Sequence, residues 1–330
     1  MTDRFVQLQA WVANALDIDR VVLEPVIADA SFRRYFRVTV RSQSHVVMDA
    51  PPPQENCRSF VTVARLLKHA GVHAPEVLAA DLERGFLLLS DLGKQSYLEV
   101  LNEDNAETLF KDAVRSLLKW QLASRPGQLP VYDRALLRRE LHLFTDWYVL
   151  RHLNVSLSSS EQNVLDSIFQ VLEDSALAQP GVYVHRDYMP RNLMLSSPNP
   201  GVLDFQDAVF GPISYDLLSL FKDAFISWSP EQINGWRHCY WELARNSSLP
   251  VQSLPEFERA FDWIGMQRHL KVLGIFARIN YRDGKPAYLK DTPRFLNYVR
   301  DTGRLYKEFT PLLKLLDSLE NRAQHRLTAQ

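Results

Sequence analysis

Apolar side chains recur at Phe5, Leu8, Val12 and Leu16, the spacing of one helical face, so the chain is expected to open on an amphipathic helix. The period then changes. Residues 21–28, 32–40 and 45–50 (VVLEPVIA, FRRYFRVTV, HVVMDA) are short, rich in β-branched and aromatic side chains and separated by polar connectors, which predicts an antiparallel meander. After PPPQ, helical spacing returns at Phe60, Val63, Ala64 and Leu67 over residues 55–70, and Gly71 marks the stop. Two more apolar runs, 77–82 and 86–90, joined by LERG, complete a predicted five-stranded sheet on which that helix packs.

Gly93 permits a chain reversal, and the character changes. Helical patterns cover 105–124, 133–152 and 159–178, and the chain reads as helical to its end except where VYVHRDYMPRNLM (182–194) and short strands at 193–196 and 202–204 interrupt it. The expected fold class is α+β with two lobes, a small antiparallel β-sheet lobe over 1–92 and a larger, mainly helical lobe over 93–330.

Composition narrows the class. With 46% hydrophobic and 23% charged residues the chain can bury separate cores and is not disordered. Lysine and arginine number 38 against 39 acidic residues, so there is no general attraction to nucleic acid or an anionic membrane, and bound phosphate would be held by a local site. Cys57 and Cys239 fit neither a disulfide framework nor a zinc pattern and are expected as buried free thiols. The first residues lack the form of a secretion signal, and no apolar stretch approaches the roughly 20 residues that span a bilayer. A cytoplasmic protein is expected, with no obligate protein partner evident.

The interrupting motif carries the chemistry. Asn192 precedes an apolar strand, the turn signal SSPNPG reverses the chain, and Asp204 follows the returning strand. A hairpin of this length lets Asn192 and Asp204 face each other and share a hard cation through one amide oxygen and one carboxylate, the ligand class magnesium accepts. Asp187, upstream, would lie beside that metal and accept a proton from an attacking hydroxyl. Phosphoryl transfer asks a protein mainly for position and charge neutralisation, so this small set suffices for a kinase. The His185, Asp187, Asn192 triplet alone is weak, but the strand before it and the hairpin and Asp-Phe after it make coincidence a poor account.

HRDYMPRN followed by DFQ resembles the catalytic and metal-binding loops of the protein-kinase-like fold, in its aminoglycoside phosphotransferase branch. DASFRRYFRV, VVMDAPP, LDFQDAVFGPISYDLLSL and RHLKVLGIFARINYRDGK extend the resemblance over most of the chain, toward bacterial anomeric kinases of N-acetylmuramate and N-acetylglucosamine. The resemblance implies ATP and Mg2+ as cofactors, Asp187 as base, Asn192 and Asp204 as metal ligands, and His185 and Arg186 as braces of the loop. It also implies that Asp216 anchors that loop, and that the product is a sugar 1-phosphate used in cell-wall recycling.

Two features depart from the fold's usual pattern. HVVMDAP has Met48-Asp49 where a lysine is usual, and the stretch before the second strand lacks a glycine run. Ser31, Arg33 and Arg34 are the candidate replacements at the nucleotide phosphates. Strict alternation puts Arg34 on the face of Phe32, Phe36 and Val38, toward the ligand or at a strand end, and leaves Arg33 and Arg37 for plain solvation opposite. The alternatives are a kinase of an aminoglycoside or another small hydroxyl compound, or a nucleotide-binding module without catalysis. Asp207 is read as a cap of the following helix, and Arg268, His269 and Arg278 as either cleft groups or a buried network.

Overall fold

The alternating segments near the N-terminus form one sheet. A computed structural model describes residues 3–26 and 32–328 of the chain. Helix α1 (Asp3–Ala15) leads into β1 (Glu24–Val26), β2 (Arg34–Val40) and β3 (Gln43–Asp49), then α2 (Cys57–His69), β4 (Val77–Asp81) and β5 (Phe86–Ser90). The strands pair antiparallel in the order β1-β2-β3-β5-β4, the five-stranded sheet that the sequence predicts. Leu8 and Val12 of α1 pack on Phe36, Val38, Val47, Phe86 and Leu88, so alternate residues of the middle strands face this helix. Asn56 caps α2 by accepting the Arg58 N–H at 2.8 Å, and the helix buries Phe60, Val63, Ala64 and Leu67 as their spacing requires.

Beyond the sheet follow α3 (Tyr97–Val100), α4 (Ala106–Leu122), α5 (Arg134–Leu143), a π-helix over Phe144–His152, α6 (Ser159–Leu177) and β6 (Gly181–Val184). The polar motif lies between β6 and a hairpin of β7 (Leu193–Met194) and β8 (Gly201–Val202). Those two strands are shorter than their apolar runs suggested: the proline-rich turn takes up the end of the first, and the second pairs over 201–202 and stops before Leu203 and Asp204. Then come β9 (Val209–Pro212), α7 (Tyr215–Phe221), α8 (Pro230–Asn246), α9 (Leu254–Asp283), α10 (Thr292–Leu305) and α11 (Thr310–Thr328).

By internal packing the chain divides into two compact units, one of residues 1–123 with 185–208 and the other of 124–184 with 209–330. The motif of 185–208 therefore belongs with the five-stranded sheet. A lobe boundary after residue 92 remains a proposal beside this division by packing. Both cysteines are free thiols, Cys57 buried and Cys239 only half-buried, so the expectation of two buried thiols holds for the first alone.

The second unit is built around α9. Nineteen of its 30 residues are buried, so it is enclosed over most of its circumference, as a central helix must be. Leu270, Leu273 and Phe276 pack with Phe144, Phe169, Phe295 and Leu316 from the surrounding helices. The helix expected over 133–152 instead passes from α5 into the π-helix at Phe144. At that junction α9 comes close: a Cβ on Gly274 would stand 2.2 Å from the Leu143 carbonyl carbon. Only glycine lets the two backbones approach so far. Gly274→Ala is expected to destabilise the protein by about 2–4 kcal/mol, read as a lowered denaturation midpoint, because neither backbone has a flexible side-chain end to yield. An unchanged midpoint would mean that the helices can separate at no cost.

Candidate active site

Within the first unit the motif is fixed from both ends. His185 is buried, and its Nε2 lies 3.0 Å from the Leu203 carbonyl while its Nδ1 accepts the Asp187 N–H at 3.3 Å. The carbonyl can only accept, so Nε2 carries the proton and Nδ1 is the acceptor of the neutral ring. Burial pushes the His185 pKa down to about 4, which keeps that tautomer in place. The ring also meets Tyr188 edge-on at 5.6 Å, and the Tyr188 hydroxyl donates to the Ala113 carbonyl of α4 at 2.8 Å. Arg186 donates to the Asp207 carbonyl at 3.4 Å. One strand exit is thus tied to the hairpin, to α4 and to the segment after Asp204.

Asn192 links the backbone at Asp187 to the Asp204 carboxylate. A 3-10 turn over Pro190–Asn192 carries it into β7, and its Nδ2 donates to the Asp187 carbonyl at 2.9 Å and reaches Asp204 Oδ2 at 3.5 Å. With the amide nitrogen so committed, Oδ1 is left as the acceptor for a ligand. Gln206 donates to Asp204 Oδ1 at 2.8 Å. Surrounding protein atoms, and after them the nearby Asp187 carboxylate, push the Asp204 pKa up, although its outer side is open to solvent. Arg186 and Asp204 both adopt left-handed backbone, at φ 75° and 61°, a costly conformation for residues with side chains. Phe205 behind them is buried against Phe60 of α2, with ring centroids 4.6 Å apart.

Asp187, Asn192 and Asp204 are therefore brought together, and they present one amide oxygen and carboxylates. Among the described residues no three His, Cys, Asp or Glu side chains converge on a metal-binding point. That donor set fits a magnesium ion that completes its shell with water and phosphate oxygens, and it does not fit a closed protein cage. Asp207 is followed directly by β9 and not by a helix, so it caps none; Ser214 is the residue at the start of α7. Asp216 is fully buried in the first turn of α7, in the second unit.

The basic candidates separate. Ser31 lies outside the described residues. Arg34, the first residue of β2, pairs with the buried Asp49 across the sheet, and Arg4 of α1 holds the other carboxylate oxygen at 2.6 Å. Its side chain is thus committed on the face of Phe36. Arg33 lies on the other face, where it pairs with Glu55 at 2.8 Å and acts electrostatically on both Asp204 and Tyr35. Arg37 pairs with Asp91 at 2.6 Å. Neither Arg33 nor Arg37 is simply solvated, because each has a carboxylate in reach that is distant in sequence. Glu55 and Gln206 are not singled out by the sequence; an acidic residue at the entrance to α2 was the available signal for the first.

The profile of the Phosphotransferase enzyme family matches residues 22–246. The chain is 52% identical to an N-acetylmuramate/N-acetylglucosamine kinase of Pseudomonas aeruginosa, over 97% of this chain and 98% of that one. It is 51% identical to the Pseudomonas putida protein of the same name, over 96% and 97%. The solved streptomycin-ATP-APH(2'')-IIa ternary complex has a TM-score of 0.61 at 14% identity, over 90% of this chain and 97% of that one, a likeness of fold.

His185 gives this geometry a pH signature. Its folded pKa of about 4 lies below the ordinary value of about 6.5, so between the two the unfolded chain binds the proton more. The stability gained by keeping the ring neutral is complete above pH 6.5 and is lost as pH falls toward 4. Relative to His185→Gln, the wild type should lose about 2 kcal/mol between pH 7 and pH 5, measured by urea unfolding at both. A difference independent of pH would contradict the buried neutral ring.

Proposed function

The chain belongs to the phosphotransferase enzyme family, and from that membership we infer an ATP-dependent kinase of N-acetylmuramate and N-acetylglucosamine. The acceptor is the anomeric hydroxyl and the product a sugar 1-phosphate, which returns cell-wall sugar to use. Relatives that match nearly the whole chain at about half identity carry this name, which argues against a module without catalysis. Among the described residues no helix is long and apolar enough to cross a membrane, and we place the enzyme in the cytoplasm, where ATP is made.

The observation that carries the mechanism is the Asn192 amide, which ties the Asp187 loop to Asp204. Asp187 takes the proton of the anomeric hydroxyl as its oxygen bonds to the γ-phosphorus and the bond to the β-phosphate oxygen breaks, releasing ADP. An anomeric hydroxyl is more acidic than an ordinary alcohol, which eases the transfer of its proton. Asn192 Oδ1 and the Asp204 carboxylate would hold magnesium, which neutralises phosphate charge when bound. Arg33, steadied by Glu55, stands in for the absent strand lysine at the phosphates. Arg34, committed to Asp49, supports the strand end and is less suited to that task.

Asp187→Asn should reduce turnover at least about a thousandfold while leaving the fold and nucleotide binding intact, with product followed by phosphorus NMR. Retained turnover would reject Asp187 as base. Arg33→Met should raise the KM for ATP about tenfold and leave the sugar KM nearly unchanged. Arg34→Met should instead lower thermal stability with a smaller effect on the ATP KM, and the opposite ranking would exchange the two roles.

A further inference from the structure

The second unit holds buried polar groups that its own chain leaves unfinished. Asp223, just after α7, is fully buried; its Oδ1 accepts the N–H groups of Phe225 and Ile226 at 2.8 and 3.3 Å, while Oδ2 has no partner. On α9, Arg268 is 4% exposed and its Nη1 is unpartnered, and His269 is fully buried with neither ring nitrogen bonded. Asp223 feels the charge of Arg268 and acts in turn on Tyr298 of α10. The His269 ring stacks on it at 4.9 Å, and Lys222 Nζ lies 5.9 Å from its centroid with only a long contact, 4.0 Å, to Asp262.

Buried polar groups nearly always find partners, and a single orphan is a local imperfection. Here a carboxylate oxygen, a guanidinium nitrogen and two ring nitrogens are left over in one cluster, from two segments that are far apart in sequence. Burial lowers the Lys222 pKa and raises that of Asp223, and the nearby opposite charges, Asp262 for the first and Arg268 for the second, do not fully offset it. A ligand that completes the set needs hydroxyl donors for Asp223 and an anionic group for the two cations. A neutral sugar meets only the first requirement.

We propose that this cluster is the acceptor-sugar site, in which Asp223 receives ring hydroxyls and Arg268, with Lys222, receives the lactyl carboxylate of N-acetylmuramate. N-acetylglucosamine lacks that carboxylate, so Arg268 is a specificity residue between the two sugars. The proposal rests on the sugar-kinase reading above.

Steady-state kinetics of wild type and Arg268→Gln on both sugars at saturating ATP test it. The KM for N-acetylmuramate should rise at least about tenfold while that for N-acetylglucosamine stays within about threefold. Lys222→Gln should move the same way, and it decides the matter if Arg268→Gln does not fold. Equal losses on both sugars would make the cluster a packing feature, and no loss on either would mean that water alone completes it; both results overturn the site. Wild-type protein that phosphorylates neither sugar would instead overturn the kinase reading itself, and this site with it.

Discussion

Asp187 and Asp204 are like charges that the fold holds within electrostatic reach of each other, and most of residues 185–208 serves that constraint. Two carboxylates left to themselves would separate or one would take a proton. The chain opposes this with directed donors: the Asn192 amide reaches Asp204 while holding the Asp187 backbone carbonyl, Gln206 fixes one oxygen of Asp204, and Arg33 adds positive charge nearby. The backbone contributes as well. Left-handed residues at Arg186 and Asp204, each costing about 1–3 kcal/mol, persist because His185, the hairpin and the Phe205–Phe60 contact leave no relaxed alternative. A bound cation would relieve the remaining repulsion, so the strain is the cost of readiness.

The same unit, in the reading proposed above, would bind phosphate with its charges rearranged. Where the fold usually ends the third strand on a lysine, this chain has Asp49, and a buried carboxylate must be answered. Arg34 and Arg4 answer it, one from the neighbouring strand and one from α1, and this welds the helix to the sheet. Arg33 is left to the opposite face with Glu55. Adjacent arginines thus divide two tasks because a strand turns successive side chains to opposite sides. In the proposed reading, the pairing of Arg33 with a glutamate at the mouth of α2 would rebuild, with a guanidinium, the cation-and-acid pair that a lysine makes elsewhere in the fold.

How much of this was legible in the sequence follows from the range of the interactions. The five strands, α2 and the hairpin carrying Asn192 and Asp204 are set by alternation, helical spacing and turn residues within a few positions, and each can be read locally. The parity of β2 could be read too, but not which face looks toward Asp204. That depends on α1 covering the face of Phe36 and Val38, and on an Arg4–Asp49 contact 45 residues apart in sequence. The break of 133–152 into α5 and a π-helix was hidden for a similar reason, since its cause is the passage of α9 at Gly274, 130 residues on. Asp207 was misjudged because a single acidic residue before an apolar run serves a strand as readily as a helix.

The second unit shows the limit of such reading in its clearest form. Arg268 and His269 could be singled out in the sequence, but Asp223 and Tyr298 carry no motif, and only the packing of α7, α9 and α10 makes them neighbours. Their arrangement is poor as a core, because apolar residues of the same volume would satisfy the interior at lower cost. The surrounding aromatic and aliphatic packing shows that this unit is otherwise closely filled. A fold that leaves several polar groups unmatched within one cluster departs from local consistency at a place where function is the usual reason. The unpaired atoms of Asp223, Arg268 and His269 thus have the same logic as the strained backbone at Asp204: each is tolerated by its own unit for the sake of a ligand that completes it.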